Sequence, residues 1–422
     1  MQGEIRPGYK QTEVGVIPED WEVLPLGRLF DVQLGKMLDE EKNTGVLKPY
    51  LGNRAVQWGR IDTSELAEMR MTQRDLVRFR LREGDILVCE GGEVGRSAMW
   101  QSEVAECYYQ KALHRLRPTT PFDSRLLLSL LKSFAERNLF SNYVTQTSIA
   151  HLPKEKFVEI PIPVPPIPEQ RAIAAALSDA DALIAALEAM IAKKRDLKQA
   201  AMQHLLTGKT RLPGFSGEWE VKRLEDHVRF LKNGTLSRAQ LIIDGPVKYL
   251  HYGDIHGSAS LWLHPKSAGM PCVDPELVAS LDRLDNGDLI FADASEDLDG
   301  VGKSIEIADC AGAEVVSGLH TIAARFNKEV LADGFKAYLQ FMPPFRDHLK
   351  SMAAGTKVLA TNRKHIGSAI LALPEPPEQI AIAEVLFDMD ADLAALEAQA
   401  AKARAVKQGM MQELLTGKVR LV

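Results

Sequence analysis

Two near-copies decide the fold of this chain: residues 169–212, EQRAIAAALSDADALIAALEAMIAKKRDLKQAAMQHLLTGKTRL, and residues 378–421, EQIAIAEVLFDMDADLAALEAQAAKARAVKQGMMQELLTGKVRL. The copies align without a gap and share 28 identities in 44 positions, which identifies an internal repeat. Prolines stand just before each copy, at 165, 166 and 168 and at 376 and 377. Because proline is tolerated at the start of a helix, these positions predict where two helices begin.

Apolar residues recur in both copies at intervals of three and four positions, the spacing of a coiled-coil seam. The predicted seam consists of Ile173, Leu177, Ile184, Leu187, Ile191, Ile382, Leu386, Leu393 and Leu396. Gly208 and Gly417 stand where a helix stop is expected. A helix of about 38 residues would be roughly 57 Å long. By pattern alone, such a pair fits a general dimerisation element as well as a spacer.

The segments that precede the two helices also repeat each other, at lower identity. The shared landmarks are Trp21 with Trp219, Tyr50-Leu51 with Tyr249-Leu250, LREGDILV from 81 with LDNGDLIF from 284, GEVGRS from 92 with DGVGKS from 299, ALH from 112 with GLH from 318, and Gln146-Thr147-Ser148 with Gly355-Thr356-Lys357. The predicted order is therefore globular domain, helix, globular domain, helix. The predicted boundaries are 1–164, 165–210, 211–373 and 374–422.

The ends of the repeat suggest how the helices pack. Arg211-Leu212 leads directly into Pro213-Gly214-Phe215 and then to Trp219, and the chain starts with Pro7-Gly8-Tyr9 ahead of Trp21. The chain ends at Arg420-Leu421-Val422, where the next such segment would follow. We therefore expect an α+β fold: two similar globular α/β domains joined by two long antiparallel helices that form a coiled-coil spacer. The tandem duplication would then have a pseudo-twofold axis.

Composition narrows the class of protein. The chain has 422 residues, enough for two to three domains, and 51 Lys and Arg against 57 Asp and Glu give a net charge of −6. That balance argues against a chain that binds nucleic acid alone, so any such contact must use local basic patches or partner subunits. The four cysteines form no CxxC motif, and the N-terminus lacks the apolar core of a signal peptide. A reducing, cytoplasmic setting without membrane insertion is expected.

Motifs for enzymatic chemistry are incomplete. Gly302-Lys303-Ser304 resembles part of a phosphate-binding loop, but Asp297 occupies the position of the required leading glycine. Met342-Pro343-Pro344-Phe345 resembles the proline turn of amino-methyltransferases, but Met342 cannot accept the amine hydrogens, so a simple proline turn is the better interpretation. The sequence therefore offers recognition chemistry and no recognisable catalytic set.

Side chains suited to DNA contact occur in both globular domains. Arginine and glutamine can bond guanine and adenine edges, and cations can bind phosphates. The candidates are Arg54, Gln57, Trp58, Arg60, Arg96, Lys111, His114, Gln146 and Ser148 in the first domain, and His251, Tyr252, His256, Lys303, His320, Thr356 and Lys357 in the second. Each could equally be a solvated surface group. A run of arginines from Arg70 to Arg82 fits an outward strand or helix face equally well.

With these features the chain resembles a specificity subunit of a type I restriction–modification system. The resemblance is carried by the helix starts PPIPEQ and PEPPEQ, the helix ends LLTGK, the opening KQTEVGVIPEDWEV, and the GDILV and GEVGRS segments. It spans nearly the whole chain. The second globular domain departs in GDLIFADASED, which is longer than its partner, and in HYGDIHG, so its contact residues are less well defined.

The resemblance implies a non-catalytic subunit that reads double-stranded DNA. Each globular domain would be a target recognition domain for one half of a bipartite target, and the paired helices would set the half-site spacing. The seam helices would also dock two methyltransferase (M) subunits, and restriction (R) subunits would join that assembly. No cofactor is expected in this chain, because S-adenosylmethionine, ATP and Mg would belong to the partners. The alternative is a two-module coiled-coil scaffold that binds protein rather than DNA.

Overall fold

The computed structural model describes residues 5–39, 43–146, 150–266, 268–310, 312–353 and 358–421. The chain divides into two compact units, each of which takes part of both long helices. Unit 1 comprises Met1–Glu188 with Ala398–Val422, and unit 2 comprises Ala189–Glu397. Among the described residues, no helix has the length and apolar content needed to cross a membrane.

Short strands dominate unit 1. Its strands are β1 (Tyr9–Thr12), β2 (Gly15–Pro18), β3 (Glu22–Pro25), β4 (Phe30–Leu34), β5 (Val46–Leu51), β6 (Val56–Gln57), β7 (Arg60–Ile61), β8 (Ala67–Met71), β9 (Ile86–Cys89), β10 (Ser97–Met99), β11 (Tyr108–Tyr109), β12 (Leu113–Pro118), β13 (Thr145–Gln146), β14 (Ala150–His151) and β15 (Pro161–Val164). Its helices are α1 (Leu26–Leu29), α2 (Gln73–Arg78), α3 (Ser124–Glu136) and α4 (Lys154–Phe157), with a 3₁₀ turn at Leu139–Asn142.

Unit 2 has a similar set of elements. Its strands are β16 (Glu220–Arg223), β17 (Val228–Phe230), β18 (Val247–Leu250), β19 (Trp262–Leu263), β20 (Cys272–Val273), β21 (Leu289–Ala292), β22 (Ala294–Ser295), β23 (Ser304–Ile307), β24 (Glu314–Ser317), β25 (Thr321–Phe326), β26 (Leu359–Ala360) and β27 (Ile370–Leu373). Its helices are α6 (Tyr252–Gly257), α7 (Pro343–Met352) and α8 (Arg363–Gly367), with 3₁₀ turns at Leu224–His227, Arg238–Gln240, Pro275–Val278 and Lys336–Phe341.

The sheets show that the duplication extends to strand order. Unit 1 has a sheet ordered β10-β9-β12-β4, and unit 2 has β23-β21-β25-β17 in the same antiparallel arrangement, extended by β19. A second sheet is ordered β11-β5-β8 in unit 1 and β24-β18-β20 in unit 2. In both cases its first pair is parallel and its second pair antiparallel. The two globular parts therefore share one framework despite their low sequence identity.

Strand register corrects one of the predicted landmarks. Leu113 pairs with Cys89, whereas Thr321 pairs with the equivalent Ala292. The counterpart of Leu113 is therefore Thr321, and the alignment of ALH with GLH is wrong by two residues. An ion pair that occurs in both units supports this register. In unit 1, Arg117 donates two hydrogen bonds to the Asp85 carboxylate, at 2.5 and 2.8 Å. In unit 2, Arg325 donates two hydrogen bonds to the Asp288 carboxylate in the same way, at 2.7 and 2.6 Å.

The two repeated stretches form the long helices α5 (Ile167–Leu205) and α9 (Pro376–Leu414). Both begin within the predicted proline-rich segments. Both end just before a glycine in the left-handed region, Gly208 with φ +68° and Gly417 with φ +66°. The predicted starts and stops are confirmed. The Met342–Phe345 motif begins α7 with Met342 and Phe345 buried, which supports the proline-turn interpretation.

Ion pairs within each unit show that the helices run antiparallel. In unit 1, Lys407 pairs with Asp181, and Arg404 pairs with Glu188 at 2.6 Å. In unit 2 the pairs are Lys194 with Asp392 at 2.7 Å, Arg195 with Glu397 at 2.5 Å, and Lys198 with Asp390. From Asp181 to Glu188 on α5 the partner on α9 changes from Lys407 back to Arg404. From Arg195 to Lys198 on α5 it changes from Glu397 back to Asp390. The predicted antiparallel pairing is therefore confirmed.

The predicted seam residues are used inside the chain. Ile173 and Leu177 lie in the core of unit 1 together with Leu414 from α9, and Ile382 and Leu386 lie in the core of unit 2. Leu187, Ile191 and Leu393 are also buried. Ile184 and Leu396 are half-buried. These apolar side chains hold the helices to each other and to the globular parts, so exposed residues of the helices must supply any docking surface.

A buried carboxylate explains why the helix starts and ends repeat. In unit 1, Glu169 accepts hydrogen bonds from Arg420 at 2.6 and 2.8 Å and from Trp21 Nε1 at 3.0 Å. In unit 2, Glu378 accepts two from Arg211, both at 2.5 Å. Each arginine also lies over a tryptophan ring, 5.9 Å from Trp21 and 5.8 Å from Trp219. Each helix start is thus joined to the end of the other helix.

Candidate nucleic-acid interface

Four predicted contact residues of unit 1 come together on one hairpin. Strands β6 and β7 pair Val56 with Ile61 and Gln57 with Arg60, and Trp58 and Gly59 form the turn. Gly59 has φ +70°, a conformation that glycine adopts without strain. The hairpin carries exposed Arg54 and Arg60 and half-buried Gln57 and Trp58, and it packs beside β10.

The loop after β9 is bonded to this hairpin. Trp58 Nε1 donates to Glu93 Oε1 at 2.5 Å, and Arg96 donates to Glu93 Oε2 at 3.2 Å. Arg96 also donates to the Asn53 carbonyl oxygen at 2.9 Å, and its side chain is only 15% exposed. Arg96 therefore stabilises the base of the hairpin, and little of its side chain is accessible to DNA. The sequence reasoning missed Glu93, because it searched for donors and a lone glutamate carries no distinguishing pattern.

His114 must be removed from the predicted interface. Its side chain is fully buried on β12, and Nε2 lies 2.9 Å from the Leu152 carbonyl oxygen. Burial lowers the pKa of His114 to about 4, so the ring is neutral at pH 7. Its counterpart by strand register is Ile322, which is also a core residue. The sequence placed His114 opposite His320 because of the misaligned ALH and GLH landmarks.

The other unit 1 candidates are more scattered. Lys111 is exposed in the turn between β11 and β12. The backbone of Gln146 lies in β13, which pairs with β14. Ser148 lies outside the described residues. The run from Arg70 to Arg82 is divided among β8, α2 and the turn before β9, so it forms no single face.

In unit 2 the segment HYGDIHG forms a short helix, α6. His251 precedes it: Nδ1 accepts from the Gly253 N–H at 3.4 Å, and its own N–H donates to Asp254 at 2.9 Å. Burial and nearby Arg238 lower the pKa of His251, which favours the neutral, accepting ring. These local bonds favour a helix start, a feature that the sequence reasoning did not identify.

Aromatic and histidine rings meet around Tyr252. Its ring centroid lies 4.6 Å from that of His251, 6.2 Å from that of His256 and 5.5 Å from that of His320. His320 has φ +58°, a conformation rare for a non-glycine residue, and its Nδ1 lies 3.2 Å from Asp293 Oδ1. Tyr252 and His320 are both exposed, so this cluster presents ring edges and polar atoms at the surface.

Lys303 has the same structural role as Arg96. It follows the second glycine of DGVGKS and donates to the His256 carbonyl oxygen at 2.8 Å. Arg96 joins the loop after β9 to the segment that leads into the β6–β7 hairpin, and Lys303 joins the loop after β21 to α6. We call the β6–β7 hairpin with the residues leading into it, and α6, the recognition segments of the two units. The Lys303 contact gives the lysine of the Gly-Lys-Ser motif a structural role. Thr356 and Lys357 lie outside the described residues.

Each unit has an open cleft beside these segments. The unit 1 cleft has a volume of about 540 Å³ and is lined by Trp58 and Glu93 together with Lys132 and Phe140. The unit 2 cleft has a volume of about 590 Å³, and Tyr252, His256, His320 and Glu296 are among its lining residues. In both units one wall comes from the segment after β5 or β18, and another comes from the loop after β9 or β21. Two walls of the clefts therefore correspond in the framework, whereas α3 and the 3₁₀ turn after it also line the unit 1 cleft and His320 also lines the unit 2 cleft.

Comparison with known proteins identifies the family to which this framework is similar. Residues 18–194 match the family model described as the type I restriction modification DNA specificity domain. The predicted resemblance to type I specificity subunits is confirmed. The chain is 24% identical to the putative type I restriction enzyme MjaX specificity subunit of Methanocaldococcus jannaschii, over 98% of this chain and 97% of that protein. It is also 24% identical to the type I restriction enzyme EcoKI specificity subunit of Escherichia coli, over 95% of this chain and 89% of that protein.

Solved structures of such subunits have the same fold. The type I restriction-modification S subunit from M. genitalium matches with a TM-score of 0.57 at 17% identity, covering 97% of this chain and 98% of that one. A chain from a structure on complex assembly and conformational transition of the type I R-M system matches with a TM-score of 0.55 at 15% identity, covering 96% and 99%. Both similarities extend over nearly the full chain, beyond the segment that matches the family model.

Proposed function

We propose that this chain is the DNA-specificity subunit of a type I restriction–modification complex, and that each unit reads one half of a bipartite target. One observation carries the proposal: a single framework occurs twice, with different side chains at equivalent positions. Unit 1 presents the hairpin with Arg54, Gln57 and Arg60, whereas unit 2 presents α6 with Tyr252 and the nearby His320. Different donors and acceptors on one framework suit two different base sequences.

The helices support a second part of the proposal. Their sequences are identical at 28 of 44 positions, whereas the recognition segments differ. Two equal docking surfaces would serve two copies of one methyltransferase subunit, and the paired helices would set the spacing between half-sites. Restriction subunits would complete the assembly. Methyl transfer and DNA cleavage, with S-adenosylmethionine, ATP and Mg, would belong to these partners.

The net charge of −6 fits this division of labour. Duplex DNA is densely charged, and phosphate contacts supply most of the sequence-independent affinity of a DNA-binding protein. A chain with net negative charge would leave much of that affinity to its partner subunits. Its own contribution would be specificity, which comes from contacts with base edges.

Methylome sequencing tests the proposal directly. The chain is co-expressed with its methyltransferase subunit in a host that lacks other adenine and cytosine methyltransferases, and methylated motifs are mapped genome-wide. We expect one motif made of two specified half-sites separated by an unspecified gap of fixed length. Omission of this chain should abolish the motif. Methylation that is absent, or that persists without this chain, would overturn the proposal and favour a scaffold that binds only protein.

A further inference from the structure

We propose that Glu93 is a specificity-determining residue, whose carboxylate accepts a hydrogen bond from the exocyclic amino group of a cytosine or adenine in the half-site read by unit 1. The inference rests on the proposed function and adds an acceptor to an interface otherwise predicted from donors. Carboxylates are suited to this contact because base amino groups are donors in the major groove.

Glu93 lies where a base edge could reach it. It belongs to the loop after β9 and lines the unit 1 cleft together with Trp58. Its side chain is 55% exposed, so part of the carboxylate faces solvent. The neighbouring hairpin carries Arg54, Gln57 and Arg60, three residues with the donors that phosphates and purine edges require.

Two bonds hold the carboxylate in place before any ligand arrives. Trp58 donates to one oxygen at 2.5 Å, and Arg96 donates to the other at 3.2 Å. A carboxylate has about four lone-pair directions, so free acceptor positions remain on both oxygens. Arg96 is fixed in turn by the Asn53 carbonyl oxygen. Such a preorganised acceptor loses little conformational entropy on binding.

Charge explains why this acceptor would discriminate. An exposed carboxylate repels the phosphates of nearby DNA, and this cost is offset where a base donor meets the carboxylate. Arginine and lysine have no acceptor atoms and cannot read an amino group. A half-site that contains cytosine or adenine at this position would satisfy Glu93, whereas a thymine or guanine would place an acceptor against it in the major groove.

Unit 2 supports the same use of this loop. The unit 2 loop between Ala292 and Gly302 has nine residues, 293–301. The corresponding unit 1 loop between Cys89 and Gly95 has five residues, 90–94. The four additional residues accompany two exposed acidic side chains, Glu296 and Asp297, which line the unit 2 cleft. Both units thus supply carboxylates from one loop, and the loops differ as two different half-sites would require.

The test removes single amino groups from the DNA. The bipartite target of the complex with its methyltransferase subunit is first mapped from the methylome. Each cytosine of the half-site read by unit 1 is then replaced by 2-pyrimidinone and each adenine by purine, one position at a time. Dissociation constants at one fixed salt concentration are measured for wild type, Glu93→Ala, Glu93→Gln and Glu83→Ala. Glu83 is an exposed control in the turn before β9.

Wild type should lose affinity about five- to hundredfold at one position, the range expected for one base contact. Glu93→Ala should bind modified and unmodified DNA equally at that position, Glu93→Gln should keep part of the discrimination, and Glu83→Ala should behave as wild type. Unchanged reading of the other half-site shows that the variants are folded. If Glu93→Ala keeps the wild-type response at every position, the inference is overturned while the proposed function stands. A wild-type complex without a bipartite target would overturn both.

Discussion

Several cations that could have bound DNA instead hold the framework of their own unit. Arg96 and Lys303 each donate to a backbone carbonyl of the recognition segment, and Arg117 and Arg325 each grip a buried aspartate. Exposed cations such as Arg54 and Arg60 remain available for DNA. The number of basic residues in a segment therefore overstates the number of its possible DNA contacts.

Replacement of Arg60 by alanine tests the hairpin of unit 1. We expect loss or relaxation at one position of one half-site, because one bidentate base contact discriminates by about 1–3 kcal/mol. The other half-site should be unchanged in the methylome of the variant. Arg74→Ala, an exposed arginine on α2, is the matched control. Equal losses at both half-sites would place Arg60 outside base recognition.

His114 predicts a pH dependence of stability in unit 1. Its folded pKa of about 4 lies below the ordinary value of 6.5, so the folded state favours the neutral ring. The stability that this provides is present above about pH 6.5 and is lost as the pH falls toward 4. Between pH 7 and 5 the loss should be about 2 kcal/mol. Urea unfolding should show a smaller loss in His114→Gln, whose amide can still donate to Leu152. An identical pH profile in that variant would contradict the assignment.

The two buried glutamates, Glu169 and Glu378, should contribute differently to the free energy of unfolding. Glu169→Gln leaves Arg420 with a second carboxylate, Asp20, at 2.7 Å, whereas Glu378→Gln leaves Arg211 with backbone carbonyls such as that of Ser216. Both arginines are about a quarter exposed, which limits the cost. We expect losses of about 2 kcal/mol for Glu169→Gln and about 3 kcal/mol for Glu378→Gln. Unfolding free energies, with hydrogen exchange resolved by unit, provide the measurement, and the reverse order would refute this account.

At the scale of elements, the residues that fix the limits of the long helices lie at the helix ends. Prolines fix where they start, a left-handed glycine terminates each one, and a glutamate on the first turn of one is bonded to an arginine beyond the last turn of the other. The apolar seam between these ends is less regular, with Ile184 and Leu396 only half-buried. The repeated motifs PEQ and TGK-x-R are therefore structural.

The stop glycines give a graded prediction. Alanine at Gly208 or Gly417 incurs the cost of the left-handed conformation, about 1 kcal/mol. At Gly417 an added Cβ would also lie 2.5 Å from Pro18, whereas at Gly208 the nearest contact is 3.3 Å from Trp219. Overpacking should add about 1–3 kcal/mol at Gly417 alone.

Gly409, inside α9 with no neighbour within 4 Å of an added Cβ, is the matched control. Gly409→Ala should stabilise by about 0.5–1 kcal/mol, because alanine has the higher helix propensity. Thermal or urea unfolding of the three variants provides the comparison. Equal losses of stability at Gly208 and Gly417 would contradict the expected overpacking and show that the segment around Pro18 moves away at little cost.

At the scale of the whole molecule, the final segment of the chain completes the unit that its first segment begins. Tyr9 donates to the Gly417 carbonyl oxygen at 2.8 Å, and Arg420 bonds Asp20 and Glu169, all within unit 1. Unit 2 makes the corresponding contact between Arg211 and Glu378 using internal segments. The expected closure of the repeat on its own beginning is therefore observed.

The proposed spacer role predicts a change in DNA spacing. Four residues inserted into both α5 and α9, after Glu188 and after Glu397, add about 6 Å of helix at 1.5 Å per residue. Duplex DNA rises about 3.4 Å per base pair, so the methylated motif should keep its half-sites and lengthen its gap by one or two base pairs. Insertion into α5 alone is the control and should impair assembly, because it shifts the ion pairs of one helix against the other. A gap of unchanged length in the double insertion would refute the spacer role.

The sequence by itself determined the duplication, the limits of the long helices and their antiparallel pairing. Those features follow from local periodicity, from prolines and glycines with fixed backbone preferences, and from the order of repeated segments. Only the tertiary structure decided which candidate residues are available. The burial of His114, the bracing roles of Arg96 and Lys303, the helix at Tyr252 and the placement of Glu93 beside Trp58 depend on partners brought close by folding. A side chain's solvent exposure and hydrogen-bond partners are set by such distant contacts, which leave no periodic pattern in the chain.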